Sequence, residues 1–473
     1  MRRASEIAEA KEPSGARGLL AGLQSGALDS RQVAEKALER AGRTAELNAF
    51  ISIAVEAPTT HKRSDEDGGR LAGLPIAVKD TIDVAGFPCT AGTPALSDWR
   101  PASDAPVVRV LRDAGAVVIG KNNLHELSVG ITSNNPTFGA VRNPYDRALI
   151  AGGSSGGGAA AVAAAVVTVA LGADTAGSCR IPAALCGCVG FRPTTGRYAS
   201  DGVIPLSLTR DTIGLLTRDV SDAMLVDEVI TGAPSASSEL QGRRLGVPRP
   251  HFYDDLDEET RPVIDDALSR LAGAGAVLID TEVKELENLL APISLPLTFY
   301  EWPRDLARYL SVGRCPVQMW EIAEAMAGEV ERGWLQNELW GESVAHRQYL
   351  DIIARGRPRV SAAYRECFKR DRLDALVLPT TRLPARPVGQ DETVSINGRS
   401  VGTLEAYLRN TDPSAFLGLP SISVPAGLTA SGLPVGLSFD GLPDTDATVM
   451  ALAEAFQQIG PALPPPPQVV AAP

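Results

Sequence analysis

The stretch Gly152-Gly153-Ser154-Ser155-Gly156-Gly157-Gly158 surrounds two serines with glycines. Glycine permits positive φ and close approach of the backbone to a ligand, and successive turn amides can point into one concavity that receives negative charge. Neither a P-loop nor a dinucleotide-binding loop fits, because no lysine follows the glycines and their spacing differs from G-x-G-x-x-G. The block therefore predicts a pocket for an oxyanion.

The same block contains G-x-S-x-G, the nucleophile elbow of α/β-hydrolases, whose acidic residue and histidine follow the serine in the chain. Only His251 and His346 lie downstream, the first beside prolines and the second in a charged helical stretch. Neither context resembles a catalytic histidine loop. With four histidines in 473 residues, a base other than histidine is the better interpretation.

Two further segments supply such a base and a second serine. Lys79 ends the apolar run Leu74-Pro75-Ile76-Ala77-Val78, and Ser178 lies in Asp174-Thr175-Ala176-Gly177-Ser178-Cys179-Arg180. Lysine can activate a serine only where burial lowers its pKa, and the apolar run provides that burial. Asp80 would oppose this effect, but adjacent side chains of a strand face opposite sides. The ordered set predicts a hydrolase built on serine and lysine.

These segments, in this order, resemble the amidase signature family. Its pattern runs through G-L-P-I-A-V-K-D, G-G-S-S-G-G, D-T-x-G-S-x-R-I-P-A and G-x-x-P-T-x-G-R, the last present here as Gly190-Phe191-Arg192-Pro193-Thr194-Thr195-Gly196-Arg197. The resemblance implies that Lys79 is the base, Ser154 the serine after a cis peptide bond, and Ser178 the nucleophile. The chain departs from the family at Ala176, where glycine is frequent, and at Gly158, where serine is common.

The resemblance also implies how these groups work together. Ser154 would relay a proton from Ser178 to Lys79, because one hydroxyl can donate and accept at the same time. The candidates for the oxyanion hole are consecutive backbone amides, those of Thr175, Ala176, Gly177 and Ser178. Three further residues are expected to hold the catalytic loop in place: Ser155, Asp174 and Arg180.

No metal or cofactor is expected. The six cysteines have no zinc-binding spacing and are predicted to be buried free thiols: Cys89, Cys179, Cys186, Cys188, Cys315 and Cys367. Cys179 adjoins the nucleophile, but it occupies a variable position of the family pattern. The catalytic group is therefore predicted to be Ser178 rather than this thiol.

The fold class is α/β: a large mixed β-sheet flanked by helices, with a mainly helical insert. The predicted organisation is an N-terminal helical segment (1–60), the signature core (61–235), a variable insert that lines the substrate pocket (236–375), a return to the core sheet (376–461) and a disordered tail (462–473). Residues from about 15 to 57 are predicted helical, with Asp29 or Ser30 as a cap. Asp104 is expected to cap a helix that begins near Pro106.

Composition restricts the partners. The net charge of −12 argues against nucleic acid and against an anionic membrane surface. The charged N-terminus is unlike a signal peptide, so a cytoplasmic location is expected. The long uncharged run Ala148 to Ala173 is predicted to be buried helix and strand rather than a membrane span. We expect a monomer or homodimer that acts on a small-molecule amide or carbamate.

The substrate prediction depends on the resemblance. The segment Gly120 to Ser133 and the motif at 190–197 look most like the indoleacetamide hydrolase and mandelamide hydrolase branch, which implies hydrolysis of an arylacetamide to acid and ammonia. Aromatics concentrate in the insert, where they form either core or an aryl pocket: Phe299, Tyr300, Trp302, Tyr309, Trp320, Trp334 and Trp340. Aryl carbamate, urethane or anilide hydrolysis is the alternative. A glutamine-hydrolysing subunit of an aminoacyl-tRNA amidotransferase is a second one.

Overall fold

The structure is a computed structural model that describes residues 15–57, 69–237 and 239–467. Several predictions made above extend outside this range: the beginning of the N-terminal helical segment with its charged terminus, the first residues of the signature core, and residues 468–473 of the tail. Within the described part of that tail, Pro464 accepts a hydrogen bond of 3.2 Å from the Tyr145 hydroxyl. The described end of the chain therefore contacts the core.

The strands of the described residues form one large sheet and two small hairpins. In chain order they are β1 (Phe50–Ile53), β2 (Pro75–Lys79), β3 (Val117–Asn122), β4 (Asn134–Asn135), β5 (Gly139–Ala140), β6 (Val169–Asp174), β7 (Val189–Arg192), β8 (Thr212–Thr217), β9 (Arg244–Pro248), β10 (Val277–Thr281), β11 (Ala375–Pro379), β12 (Thr393–Ile396), β13 (Arg399–Gly402), β14 (Ser421–Leu428) and β15 (Pro434–Asp440).

The large sheet has eleven strands in the order β1-β3-β2-β6-β8-β7-β14-β15-β11-β9-β10. It is mixed, because β2 runs parallel to β3 and β6 while β8 runs antiparallel to β6 and β7. Strands β2, β3, β8 and β11 are buried at every position, which is typical of strands covered on both faces. The predicted α/β class with a mixed sheet is confirmed.

Helices cover the sheet on both faces. In chain order they are α1 (Gly15–Gln24), α2 (Ser30–Arg43), α3 (Pro106–Asp113), α4 (Gly156–Ala163), α5 (Arg180–Cys186), α6 (Val220–Thr231), α7 (Arg249–Phe252), α8 (Thr260–Gly273), α9 (Leu286–Leu290), α10 (Ser294–Val312), α11 (Met319–Ala325), α12 (Glu329–Trp340), α13 (His346–Asp351), α14 (Arg357–Asp371), α15 (Thr403–Leu408), α16 (Asp412–Leu417) and α17 (Asp446–Ile459).

The glycine- and alanine-rich helix α4 packs deep inside the protein, with all eight residues buried. Glycine is required at Gly157, because a Cβ there would lie 2.4 Å from the carbonyl oxygens of Ala49 and Asn123. The uncharged run thus forms a buried helix followed by β6, as predicted. None of the helices in the described residues combines the length and hydropathy that a membrane-crossing helix needs.

Near the N-terminus, the structure confirms one helix cap and corrects two predictions. Asp29 caps α2 by accepting a hydrogen bond of 3.0 Å from Gln32 N. Phe50–Ile53, predicted helical, is strand β1, because pairing with β3 provides tertiary contacts that outweigh the helical pattern. Asp104 does not cap α3; its Oδ1 accepts from Ala85 N at 2.8 Å and from Arg112 Nη1 at 2.8 Å.

The segment predicted to be a mainly helical insert holds helices α7 to α14, and its two strands, β9 and β10, extend the edge of the large sheet. Its tryptophans differ in environment. Trp302 is 1% exposed and belongs to a buried cluster, whereas Trp320 and Trp340 are 53% and 59% exposed. Trp334 is partly buried and packs on Phe299 with ring centroids 5.5 Å apart. The aromatics are therefore not a single core.

Candidate active site

Lys79 is the last residue of β2, and its side chain is 1% exposed. Its Nζ donates a hydrogen bond to Ser154 Oγ at 2.7 Å. Burial disfavours the ammonium and lowers the pKa of Lys79 to about 8, although the carboxylates of Asp174 and Asp211 act in the opposite direction. With that pKa, roughly one amine in ten is neutral at pH 7. Lys79 can therefore accept a proton near neutral pH.

The side chain of Asp80, the residue after Lys79, does not pair with Lys79 but with another lysine. Its carboxylate forms an ion pair of 2.9 Å with Lys121 on β3, and both side chains are fully buried. The carboxylate also accepts a hydrogen bond of 2.9 Å from Thr90 N. The negative charge beside Lys79 in the sequence is thus neutralised by another lysine.

Ser154 lies in the turn that leads into α4, and the Gly153–Ser154 peptide bond is cis. The residue is fully buried. Its carbonyl oxygen accepts hydrogen bonds from His125 N at 3.2 Å and from Ser133 Oγ at 3.4 Å. The segment from His125 to Ser133 therefore supports the turn through its carbonyl oxygen, while the hydroxyl contacts Lys79.

Ser178 lies between β6 and α5 and is 6% exposed. Its carbonyl oxygen accepts a hydrogen bond of 3.0 Å from Ser155 N, which ties its loop to the turn that carries Ser154. No hydrogen bond joins the Ser178 and Ser154 hydroxyls in the described residues. The structure thus joins Lys79 directly to Ser154, and Ser178 to the same turn through the backbone.

Asp174 and Arg180 form the internal support of the Ser178 loop. The Arg180 guanidinium binds both carboxylate oxygens of Asp174, at 3.0 and 3.1 Å, and neither side chain is exposed. The carboxylate also accepts from Gly177 N at 2.8 Å and from Cys179 N at 3.2 Å. Burial would raise the pKa of Asp174, but Arg180 and Arg192 outweigh it and hold that pKa below the ordinary value.

The carbonyl oxygens of the loop 174–178 all accept hydrogen bonds. The donors are Arg192 Nη1 to Asp174 O, Arg210 Nε to Thr175 O at 3.2 Å, Thr411 Oγ1 to Ala176 O at 2.6 Å, Ile181 N to Gly177 O at 2.7 Å and Ser155 N to Ser178 O at 3.0 Å. Each peptide unit that begins at residues 174 to 178 is therefore restrained by a hydrogen bond to its carbonyl oxygen.

This arrangement determines which amides remain available. In a trans peptide unit the N–H points opposite to the preceding C=O, so each held oxygen also directs the next N–H. Gly177 N already donates to Asp174. Within the part of the chain that the structure describes, the amides of Thr175, Ala176 and Ser178 have no acceptor. Three of the four predicted amides therefore remain candidates for an oxyanion hole.

Most of this chain matches the family model for Amidase, which covers residues 32–450. The chain belongs to the amidase family. It is 41% identical to indoleacetamide hydrolase of Agrobacterium vitis over 84% of this chain and 85% of that protein. It is 39% identical to mandelamide hydrolase of Pseudomonas putida over 91% of this chain and 88% of that protein. Native peptide amidase from Stenotrophomonas maltophilia has a TM-score of 0.82 and 31% identity, covering 96% of this chain and 98% of that chain.

The resemblance inferred from the motifs is thus confirmed, and this amidase is an amide-hydrolysing enzyme. All six cysteines are free and buried, as predicted. Burial raises the pKa of Cys179 to about 12, so this thiol is neutral at physiological pH. Ser155 Oγ donates to Ala173 O at 3.1 Å and contacts Cys179 Sγ at 4.0 Å. Both residues therefore pack beneath the loop.

Two adjoining cavities of the amidase, of about 610 and 360 Å³, lie against the segment that supports Ser154. They share walls from His125, from Glu331 on α12 and from Asp391 and Glu392. His125 Nε2 and Glu331 Oε1 are 3.1 Å apart, so helix α12 of the insert is bound to this segment. Neither cavity is lined by Lys79, Ser154 or Ser178 themselves. Helix α12 thus meets the segment that supports Ser154 beside the turn that carries this serine.

Several residues that hold this site were not identified from the sequence. Arg192 stands in the motif at 190–197, and its position there was a usable signal. Arg210 and Asp211 directly precede β8, but nothing in their local sequence pattern indicates that both form hydrogen bonds with Thr175. Thr411 lies more than 230 residues from the carbonyl oxygen that it binds, and only the fold brings the two together.

Proposed function

We propose that this amidase hydrolyses the primary amide of an aryl-containing acid, such as an arylacetamide, to the acid and ammonia. The observation that carries the chemistry is the hydrogen bond of 2.7 Å between buried Lys79 Nζ and Ser154 Oγ. A lysine amine with a lowered pKa, held on a serine hydroxyl, can activate a nucleophile without histidine. Similarity to indoleacetamide hydrolase and mandelamide hydrolase supports the aryl-containing acyl group.

Acylation begins with attack of Ser178 Oγ on the amide carbonyl carbon. The Ser178 proton passes to Ser154 Oγ, whose own proton passes to Lys79 Nζ. As the new C–O bond forms, the carbonyl electrons move onto the oxygen. The amides of Thr175, Ala176 and Ser178 stabilise this oxyanion, because they are held in place before the charge develops.

Collapse of the tetrahedral intermediate restores the carbonyl and breaks the C–N bond. The leaving nitrogen takes a proton that returns from Lys79 through Ser154, and it departs as ammonia. Water then attacks the acyl-enzyme by the same proton route. The acid is released, and Ser178 recovers its hydrogen. One amide and one water therefore yield one acid and one ammonia.

The smaller cavity is the proposed location of the aryl group. Its volume of about 360 Å³ falls in the range of small-molecule pockets, and its apolar walls come from Val129, Ile131, Val330, Trp334 and Leu404. His125, in the same wall, donates from its backbone to Ser154 O at 3.2 Å. An aryl group in this cavity would thus lie beside the turn that carries the proton relay.

We further propose a cytoplasmic enzyme, monomeric or homodimeric, whose partner is a small molecule and not nucleic acid. Six free, buried thiols fit a reducing compartment, where disulfides do not persist. The net charge of −12 disfavours association with anionic polymers.

Product analysis by mass spectrometry tests the proposal. Purified enzyme is incubated with indole-3-acetamide and phenylacetamide, and in parallel with an N-aryl carbamate and an anilide. We expect acid and ammonia from the two primary amides, and no product with Ser178→Ala. Release of arylamine only from the carbamate or anilide would mean that the aryl group belongs to the leaving amine and not to the acyl group. Activity that requires added partner subunits would favour the amidotransferase alternative.

A further inference from the structure

The loop of residues 206–211, here named the bridging loop, lies between the Ser178 loop and the insert. On one side, Asp211 Oδ1 accepts a hydrogen bond of 2.6 Å from Thr175 Oγ1. On the other side, Leu208 N donates to Asp305 Oδ2 at 2.8 Å and Thr209 Oγ1 to Glu301 Oε2 at 3.0 Å, both on α10. The bridging loop therefore connects the oxyanion amides to the helix that begins the insert's aromatic region.

Arg210 makes the most extensive of these connections, and its side chain is 1% exposed. Its Nε donates to Thr175 O at 3.2 Å. Its Nη1 donates to Ser294 Oγ at 2.9 Å and to Thr298 Oγ1 at 3.0 Å, at the beginning of α10. Its Nη2 pairs with Asp412 at the beginning of α16. One guanidinium thus links the Thr175 carbonyl oxygen to two further elements, the beginnings of α10 and α16.

The carbonyl that Arg210 holds belongs to the same peptide unit as the Ala176 N–H. Because the two groups of a trans peptide point in opposite directions, fixing the oxygen fixes the direction of the N–H. Arginine suits this task, since its planar fork presents several donors in a rigid arrangement that lysine cannot reproduce. The Thr175 hydroxyl donates to Asp211, which restrains the residue that carries this carbonyl.

We infer that Arg210 is a positioning residue that aims the Ala176 N–H at the oxyanion, and that α10 of the insert acts on turnover through it. This inference rests on the proposed function, in which that amide stabilises the tetrahedral intermediate. An amide that is misdirected in the free enzyme still permits substrate to bind. Losing the hydrogen bond from this amide raises the energy of the transition state, where the negative charge develops.

Kinetics of Arg210→Met and Arg210→Lys test the inference, with Arg382→Lys as the matched control. Arg382 is also buried and binds a carbonyl oxygen, that of Ala406 at 3.4 Å, away from the Ser178 loop. Removal of one oxyanion donor costs about 10²–10³-fold in kcat, so a misdirected donor is expected to cost roughly tenfold to a hundredfold for Arg210→Met. KM for phenylacetamide should change by less than about threefold.

The Arg210→Lys variant distinguishes an effect on the position of the Ala176 amide from an effect on folding stability. Lysine retains the charge opposite Asp412, so the melting temperature should return toward the wild-type value. A single ammonium cannot hold Thr175 O and the α10 hydroxyls together, so kcat should stay low. If Arg210→Met does not fold, the test rests on Arg210→Lys and on Ser294→Ala/Thr298→Val, which keeps the arginine and removes its two hydroxyl partners on α10, leaving the Ser294 carbonyl oxygen at 3.2 Å. A fall in kcat without a change in KM is expected for both.

A transition-state analogue provides the second measurement. Benzylboronic acid adds to a serine hydroxyl to give a tetrahedral boronate, whereas phenylacetic acid resembles the ground state. The inhibition constant of the boronate should rise in Arg210→Met by the same factor by which kcat/KM falls, and that of phenylacetate should be unchanged. Arg210 variants whose kcat and KM match those of Arg382→Lys would overturn the inference. Failure of the proposed function itself looks different: Ser178→Ala would remain active, and the boronate would not inhibit the wild type.

Discussion

The loop that carries Ser178 and the helical insert differ in how far their side chains are buried. Below Ser178, Asp174 is fully buried and forms ion pairs with Arg180 and Arg192, which are also fully buried. The insert leaves large apolar side chains in solvent, with Trp320 and Trp340 more than half exposed and Val312 at 76%. Buried, fully paired polar groups specify one arrangement, whereas an open apolar surface tolerates many. On the proposed function, rigid chemistry and adaptable recognition belong to different regions of one chain.

The two regions are nevertheless in direct contact. Glu331 on α12 binds His125, whose backbone amide holds the Ser154 carbonyl. The bridging loop makes the second connection, from α10 to Thr175. Changes in the insert can therefore reach the catalytic loop, but only through a few identifiable contacts. This comparison predicts large effects for changes at the loop and graded effects for changes in the insert.

The largest effect is expected for Ser178→Ala and Lys79→Met. Each removes a group through which the bond-breaking step must pass, so turnover should fall by about 10⁴-fold or more. The release of ammonia from phenylacetamide measures this loss. Lys284→Met is the control, because Lys284 is exposed on the insert. If Lys79→Met retained full turnover, the lysine could not be the proton acceptor.

Asp174→Asn should produce the next largest effect, on stability. The substitution leaves Arg180 and Arg192 buried with one carboxylate fewer, and breaking a buried ion pair costs about 3–5 kcal/mol in the free energy of unfolding. Urea denaturation of both proteins measures the difference. Asp351→Asn removes an exposed pair with Arg355 on the insert and should cost under about 0.5 kcal/mol. Equal losses for the two variants would contradict the contrast between the regions.

The contribution of the Asp174–Arg180 ion pair to the free energy of unfolding should depend on pH. The pKa of Asp174 is held below its ordinary value of 3.8, so the folded state binds fewer protons than the unfolded state in acid. Its stabilising contribution is complete above about pH 4 and is lost as the pH falls through the folded-state pKa. Asp174→Asn should therefore show less loss of stability between pH 5 and pH 3 than the wild type.

The pH profile of turnover tests Lys79. Its pKa is lowered from 10.5 to about 8 by burial, so the neutral amine becomes the major form as the pH rises through 8. We expect kcat/KM for phenylacetamide to increase about tenfold per pH unit below that value and to level off above it. Stability should rise between pH 8 and 10.5, because the unfolded state binds more protons there. A flat activity profile from pH 6 to 10 would exclude Lys79 as the base.

The sequence was sufficient to propose the chemistry, because the residues assigned to it lie in short, ordered motifs. The pairing of Lys79 with Ser154, separated by 75 residues, was expected from those motifs. The groups that hold the loop were harder to predict. Thr411 and Arg210 act by tertiary contact alone, and no local period or cap marks them. Strand β1 was mistaken for helix for the same reason, since its pairing with β3 is not local.

Trp334→Ala is expected to have the smallest effect, and it addresses recognition. The indole is partly buried against Phe299 and lines the 360 Å³ cavity. Its loss should raise KM for phenylacetamide roughly tenfold while kcat changes little, because the catalytic loop is untouched. Turnover of propionamide, which has no ring, should be unaffected. Trp340→Ala removes an equal side chain that is 59% exposed and should leave both substrates unchanged. If Trp334→Ala lowered kcat for both amides instead, the insert would control the catalytic loop as well as the aryl group, and the division between rigid chemistry and adaptable recognition would not hold.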